Sequence, residues 1–212
     1  MMEILQTFDL RLLHAINSDW TNPFLDWFMA FVTDYGLWKW PMLMAALALF
    51  VWGGYRERLL VIMTVALVVA GEGVTSTIKR LTNRPRPYQK LENIRRVDLN
   101  GVRICQPGPF EKGRSMPSGH TANIVAFAFI ASAIYRRWGK LLWILAITIA
   151  YSRVYTGNHY PSDVAVGFIL SSGYSLAAVW AATRLWSRLG PKWLAASHLR
   201  HPDLFPARAT PV

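Results

Sequence analysis

A chain of 212 residues that is 53% hydrophobic and 13% aromatic, with ten tryptophans, carries too much apolar surface to stay disordered, and it can form one domain or two small ones. Its net charge of +11 would suit a nucleic-acid binder, yet the apolar residues arrive in long uncharged blocks, and basic loops beside such blocks are ordinary membrane anchors. The single cysteine, Cys105, excludes an internal disulfide and a cysteine-rich metal site.

From the start of the chain, Met1–Trp20 lacks the basic start, apolar run and cleavage site of a secretion signal, and is expected to be retained. Within it, Ile4, Leu5, Phe8, Leu12, Leu13 and Ile16 fall largely on one helical face, with Asp9 and Arg11 opposite. That pattern predicts an amphipathic helix lying at a membrane interface. After Asn22-Pro23 the stretch Phe24–Tyr35 is again amphipathic, and Asp26 and Asp34 argue against burial in lipid. The alternative is a sixth span.

Five blocks then approach the roughly 20 residues needed to cross a hydrocarbon core of about 30 Å. They are Trp38–Gly54, Leu59–Ile78, Thr121–Tyr135, Leu141–Tyr155 and Val164–Thr183. The third and fourth are short, so they begin in flanking polar residues or the bilayer adapts to them. The expected fold class is an all-α integral membrane bundle of about five transmembrane helices, in a single domain. Residues 1–37 would form the interfacial N-terminal helices and 38–186 the transmembrane core, and 190–212, rich in Pro, Arg and His, would be a loosely ordered tail.

Between the second and third spans lies the one long loop, Leu81–Met116. It holds Arg84, Arg86, Lys90, Arg95, Arg96, Arg103, Lys112 and Arg114 against Glu92, Asp98 and Glu111. An entrance for an anionic substrate would look like this, and so would a loop resting on anionic headgroups. If the spans alternate, the second ends, the third starts, the fourth ends and the fifth starts on one face. The opposite face carries short basic connections (Arg56, Arg58, Arg136, Arg137, Lys140, Arg184, Arg188 and Lys192), the kind that remain cytoplasmic. The long loop, with the helix ends beside it, is therefore expected on the extracytoplasmic face.

Three strings fall at those ends. Pro117-Ser118-Gly119-His120 precedes an apolar helix, so Ser118 reads as an N-cap, and the first turn's free N–H groups would suit a phosphate oxygen. Gly119 permits close backbone approach, and His120 would stand where a general acid should. An ordinary Ser-capped helix with an interfacial histidine is the plainer alternative. In Ser152-Arg153-x5-His159-x3-Asp163, one helical turn separates His159 from Asp163, so the carboxylate could orient an imidazole able to attack phosphorus. Arg153 offers a planar donor fork. A structural Arg–Asp pair in an interfacial loop is the competing reading. In Lys79-x6-Arg86-Pro87, Pro85 and Pro87 hold Arg86 in a stiff extended turn, while Lys79 extends from the last helical turn. Snorkelling anchors are the alternative, and Arg80 and Arg84 are read that way. Glu72 shares a helical face with Lys79 and is given no catalytic role.

Together, K-x6-RP, PSGH and SR-x5-H-x3-D resemble, position for position, the tripartite signature of the type 2 phosphatidic acid phosphatase superfamily. The resemblance implies a helical membrane fold and hydrolysis of phosphate esters with no metal and no cofactor. By that resemblance His159 is the nucleophile, Asp163 its orienting partner and His120 the proton donor to the leaving group. Lys79, Arg86, Ser118, Gly119 and Arg153 would bind the phosphoryl oxygens. The superfamily also includes soluble vanadium-dependent haloperoxidases, a branch that the apolar spans here disfavour. The expected substrate is a lipid phosphate or diphosphate in the plasma (inner) membrane: undecaprenyl diphosphate, phosphatidylglycerol phosphate, phosphatidic acid or lipid A phosphate. Transfer of the phosphoryl group to a second lipid, or a non-enzymatic lipid-binding or transport role, are the other readings. No nucleic acid is expected as partner, and the oligomeric state is left open.

Overall fold

The computed structural model describes residues 2–108 and 114–205. In chain order its elements are α1 (Met2–His14), which runs into a π-helical turn (Ala15–Asp19), α2 (Pro23–Thr33), α3 (Tyr35–Trp52), α4 (Tyr55–Thr82) and α5 (Pro87–Lys90). Strands β1 (Ile94–Asp98) and β2 (Gly101–Cys105) follow, then α6 (Gly119–Ile134), a 3-10 turn (Arg136–Trp138), α7 (Gly139–Tyr155), α8 (Pro161–Trp193) and α9 (Ala195–Arg200).

Local chemistry explains most boundaries. Asn22 caps α2 by accepting from the Leu25 N–H at 2.9 Å, with Pro23 in the first helical position. Asp34 caps α3 in the same way, through the Leu37 N–H at 2.7 Å. At the start of α4, Glu57 Oε2 accepts from the Gly54 N–H at 2.9 Å. The same helix stops at Asn83, whose φ of +44° takes the left-handed turn that asparagine tolerates, and Pro85 keeps it from resuming.

α6 is the axis of the bundle and packs against α4, α7 and α8. It is apolar on every side, as a central helix must be, with Val125, Ala126, Ala128 and Ile130 fully buried. On α8 the small residues Gly167, Ser171 and Ser175 fall at four-residue spacing and are buried, letting the two helices approach closely. Ser171 Oγ donates to the Ala122 carbonyl at 2.6 Å. One apolar cluster lies where α7 closes and α8 opens, and includes Leu13, Ile16, Met29, Ile94, Tyr155 and Tyr160. A second, with Leu60, Leu67, Ile130 and Ile134, fills the other end.

The outward faces carry exposed Met42, Leu47, Phe50, Ile62, Val69, Ile147, Ile169 and Leu176. An apolar surface of that extent calls for a lipid surround. Among the described residues, α4 and α8 are long and apolar enough to cross a membrane. The other three expected spans coincide largely with α3, α6 and α7.

Three readings of the sequence need correction. The chain is mostly but not wholly helical: the long loop contains α5 and an antiparallel hairpin in which Ile94 faces Cys105 and Asp98 faces Gly101. Its Glu111 and Lys112 lie outside the described residues. Asp9, placed on the solvent side of the amphipathic helix, is instead 5% exposed and turned inward. Finally, the chain beyond Gly190 is not loose through its described part: α8 continues through Pro191 to Trp193, and α9 folds back upon it. There the Trp186 indole N–H donates to the His201 carbonyl at 2.9 Å, and the His201 ring stacks on Tyr55 at 4.1 Å. Residues 206–212 lie outside the described residues.

Candidate active site

Four helix ends meet at one end of the bundle. The last turn of α4 presents Lys79, and the extended segment after it presents Arg84 and Arg86. Ser118 caps α6, with its hydroxyl accepting from the Thr121 hydroxyl at 2.9 Å and facing the Thr121 N–H. The last turn of α7 carries Arg153, and the tight turn after it carries Asn158 and His159. α8 opens with Pro161, and its third residue, Asp163, accepts from the Tyr160 N–H at 2.8 Å.

Backbone bonds lock these ends together. The Ser118 N–H donates to the Asp163 carbonyl at 3.0 Å, and the His159 and Asn158 N–H groups both reach the Arg153 carbonyl, at 3.1 and 3.2 Å. Lys79 Nζ lies 3.4 Å from the position that a Cβ on Gly119 would take. Arg86 Nη1 donates to Asn158 Oδ1 at 3.3 Å, and Arg153 Nη1 donates to the Thr33 hydroxyl. The His120 ring meets Tyr35 edge-on at 6.3 Å and sits within electrostatic reach of His159, Arg153, Arg86 and Lys79. The residues picked out of three distant strings therefore share one locus. Glu72, on the Lys79 face of α4, accepts from Ser76 Oγ at 3.2 Å.

The chemistry of this locus is that of an anion site. Arg153 is 6% exposed and His159 2%. Arg86 Nε, Arg153 Nε and His159 Nδ1 are buried with no hydrogen-bond partner. Guanidinium donors left unpaired beside a capped helix N-terminus are what a tetrahedral oxyanion satisfies, because buried polar groups are costly unless bonded. Burial first, and then Arg153 and Arg86, push the His159 imidazole down to about 4 against the opposing pull of Asp163. It is thus neutral and carries a free lone pair at physiological pH. Among the described residues no three His, Cys, Asp or Glu side chains gather into a metal-binding group.

One expected contact is looser than the spacing suggested. His159 Nδ1 stands 3.6 Å from Asp163 Oδ2, beyond hydrogen-bond length. Asp163 is held instead by the Tyr160 N–H and by Arg84, whose Nη1 donates to Oδ1 at 2.7 Å. Arg84 was expected to snorkel, yet it also reaches Asp9 at 2.6 Å and lies 3.8 Å over the Tyr160 ring. Thr33, Tyr35 and Asn158 were not singled out either, and no local pattern marks them. The basic loop spends much of its charge internally. Arg95 pairs with Asp26 at 2.7 Å, Arg103 pairs with Asp98, and Arg96 covers the Tyr88 ring at 4.6 Å.

Comparison with known proteins places this locus in context. Residues 58–189 match the sequence profile of the PAP2 superfamily. The chain is 29% identical over 194 residues to lipid A 4'-phosphatase of Bacteroides thetaiotaomicron, covering 89% of this chain and 83% of that protein. It is 31% identical over 148 residues to the putative undecaprenyl-diphosphatase YbjG of Escherichia coli, covering 69% and 67%. One further bacterial relative is matched over 59% of its own length. Among solved structures, Aquifex aeolicus LpxE superposes with a TM-score of 0.58 at 26% identity, over 80% of this chain and 93% of that one.

Proposed function

The chain belongs to the PAP2 superfamily, and on that premise we propose that it is an integral membrane lipid phosphatase, a phosphoric ester hydrolase acting through a phosphohistidine. The observation that carries this reading is the pair of buried, unpartnered arginine Nε atoms gathered with Lys79 around the N-terminus of α6. Developing charge on a transferring phosphoryl group meets donors already in place, which is the largest single contribution a protein makes to such a reaction.

In this mechanism Lys79, Arg86, Arg153, Ser118 and Gly119 hold the phosphoryl oxygens. His159 presents Nδ1 toward Asp163, leaving Nε2 to attack phosphorus in line. The bond from phosphorus to the lipid oxygen breaks as His120 gives that oxygen its proton. Water then attacks phosphorus, with the now neutral His120 accepting its proton, the phosphorus–nitrogen bond breaks to free His159, and inorganic phosphate leaves. On this reading α3, α4, α6, α7 and α8 are the five spans, and the short basic connections at the opposite end support a site at the extracytoplasmic surface of the inner membrane.

The substrate class is a phosphate monoester or diphosphate head group on a lipid. Undecaprenyl diphosphate and lipid A phosphate lead the candidates, since the relatives' names point to both. Phosphate release from a panel of such lipids in detergent micelles tests the reading. The wild type releases phosphate and is untouched by EDTA, whereas His159→Ala, His120→Ala and Arg153→Ala release none. Full activity of purified His159→Ala protein would overturn the assignment, and strong EDTA inhibition would point to a metal hydrolase.

A further inference from the structure

We propose that Asp9 and Arg84 are positioning residues for the catalytic imidazole, setting the carboxylate of Asp163 from the N-terminal helix. The inference rests on the phosphatase reading above and adds Arg84, from an unassigned position inside the first motif string, and Asp9, from outside all three. Asp9 also lies outside the matched residues 58–189.

The geometry is a relay with one arginine at its centre. Asp163 is fully buried, and its two oxygens take one donor each: Oδ1 from Arg84 Nη1 at 2.7 Å and Oδ2 from the Tyr160 N–H at 2.8 Å. Those two bonds fix the plane of the carboxylate, and with it the side of Oδ2 that faces His159 Nδ1. Arg84 is itself over-determined. Nη2 donates to Asp9 Oδ2 at 2.6 Å, Nη1 also reaches Ser162 Oγ at 2.7 Å, and the guanidinium lies over Tyr160. Its own carbonyl accepts from the Ser115 N–H at 2.8 Å. Asp9 closes the relay by accepting from the Ser162 N–H at 2.8 Å and the Ser162 hydroxyl at 2.6 Å. A helix from the far end of the chain thus caps α8 at the turn that carries Asp163.

Docking α1 does not require this arrangement, since Leu13, with Ile16 in the turn after it, already anchors it in the first apolar cluster. A buried ionic cluster is a weak way to stabilise a contact, because desolvation offsets most of the attraction. Its effect here is electrostatic and directional. Two carboxylates share one guanidinium, so the formal charge of the group is negative. The charged and titratable groups facing His159 are Asp163 from α8, Arg153 from α7, Arg86 from the segment after α4, and His120 from α6. Asp163 is the one acid among these, so whatever sets it sets the tautomer of His159 and opposes the neighbouring arginines.

Phosphate release by purified Asp9→Asn, Arg84→Gln and Arg84→Lys proteins, alongside wild type and His159→Ala, tests the proposal with kcat, KM and the pH profile of kcat/KM. Asp9→Asn and Arg84→Gln lower kcat by about 10- to 100-fold with KM nearly unchanged, the usual loss when a supporting partner is removed. Arg84→Gln also moves the acid limb to higher pH, because Asp163, freed of its guanidinium partner, pulls harder on the imidazole, whereas Asp9→Asn does not. Arg84→Lys recovers part of kcat. Unchanged kcat in folded Asp9→Asn and Arg84→Gln proteins, or a rise in KM alone, overturns the relay while leaving the phosphatase reading intact. If wild type releases no phosphate at all, the phosphatase reading itself falls, and the relay falls with it.

Discussion

Gly167 lies one turn after Asp163 on α8, outside every motif string, and its replacement by alanine tests how tightly the Ser118-Gly119 turn is held. A Cβ there would sit 2.7 Å from the Ser118 carbonyl oxygen and 3.5 Å from the Ser118 N and C atoms. The first distance is about 0.7 Å short of ordinary contact, and the obstacle is backbone rather than a flexible side-chain tip. Relief requires Ser118 and Gly119 to move away from α8, against the 3.0 Å bond from the Ser118 N–H to the Asp163 carbonyl. Because a misplacement near 1 Å costs about a hundredfold in rate, we expect Gly167→Ala to lower kcat by about 10- to 50-fold. Overpacking costs about 1–3 kcal/mol of stability as well, read as a lower melting temperature in detergent. Gly173→Ala on the same helix meets nothing within 4 Å. It is the control, expected to hold full activity and to gain slightly in helix propensity. Phosphate-release kinetics on the two purified variants decide the matter. A Gly167→Ala enzyme with kcat/KM within twofold of wild type would refute the claim that this contact positions the turn.

Other consequences are equally measurable. With its pKa pushed down to about 4 by burial and by Arg153 and Arg86, His159 stays neutral well below pH 6.5. The acid limb of kcat/KM, corrected for the substrate's own ionisation, should therefore lie near pH 4, and a limb near 6.5 would contradict the burial. The sign for stability is the same: below pH 6.5 the unfolded chain takes up a proton that the folded one refuses until about 4, so stability falls across that window. Thr33→Val removes the acceptor of Arg153 Nη1. It should weaken substrate binding, raising KM by about tenfold for one hydrogen bond to a charged group, as seen in initial-rate kinetics. Asn17→Ala strips partners from the Arg95 N–H, the Arg95 carbonyl and the Tyr155 carbonyl. A loss of about 1–3 kcal/mol for a buried group left unpaired should appear as a lower melting temperature and faster proteolysis of the hairpin.

What could be read from the chain alone follows from the range of each interaction. Apolar runs, the Ser118 cap and Pro161 act locally, so the helices and the helix ends that carry Lys79, Arg153 and His159 were legible from their own neighbourhoods. Arg84 was not, since Arg84 and Arg86 sit in one Arg-Pro-Arg-Pro string and are alike in sequence. Only the fold sends one to Asp9 and Asp163 and the other to Asn158. Asp9 was misread for the same reason, because a carboxylate on the polar face of a helix looks alike whether it meets water or an arginine. The hairpin was hidden by its composition. Ile94 and Val97 are buried three residues apart, so no period of two appears, and arginines dominate the strands between. Pro191 suggested a helix end, yet in the last turn of α8 it removes too few bonds to stop the chain from continuing to Trp193.

The bond from Ser162 to Asp9 spans 153 residues of sequence, and the one from Arg84 to Asp163 spans 79. A ribosome makes Asp9 long before the Ser162 and Asp163 that complete the relay. Until the beginning of α8 has emerged, Arg84 has no Asp163, and the turn bearing His159 has no helix to rest upon. Lys79 and Arg86 are present long before that moment, but His159 and Asp163 are not. The four helix ends therefore come together in one step, and a chain terminated before α8 in the membrane carries an incomplete site.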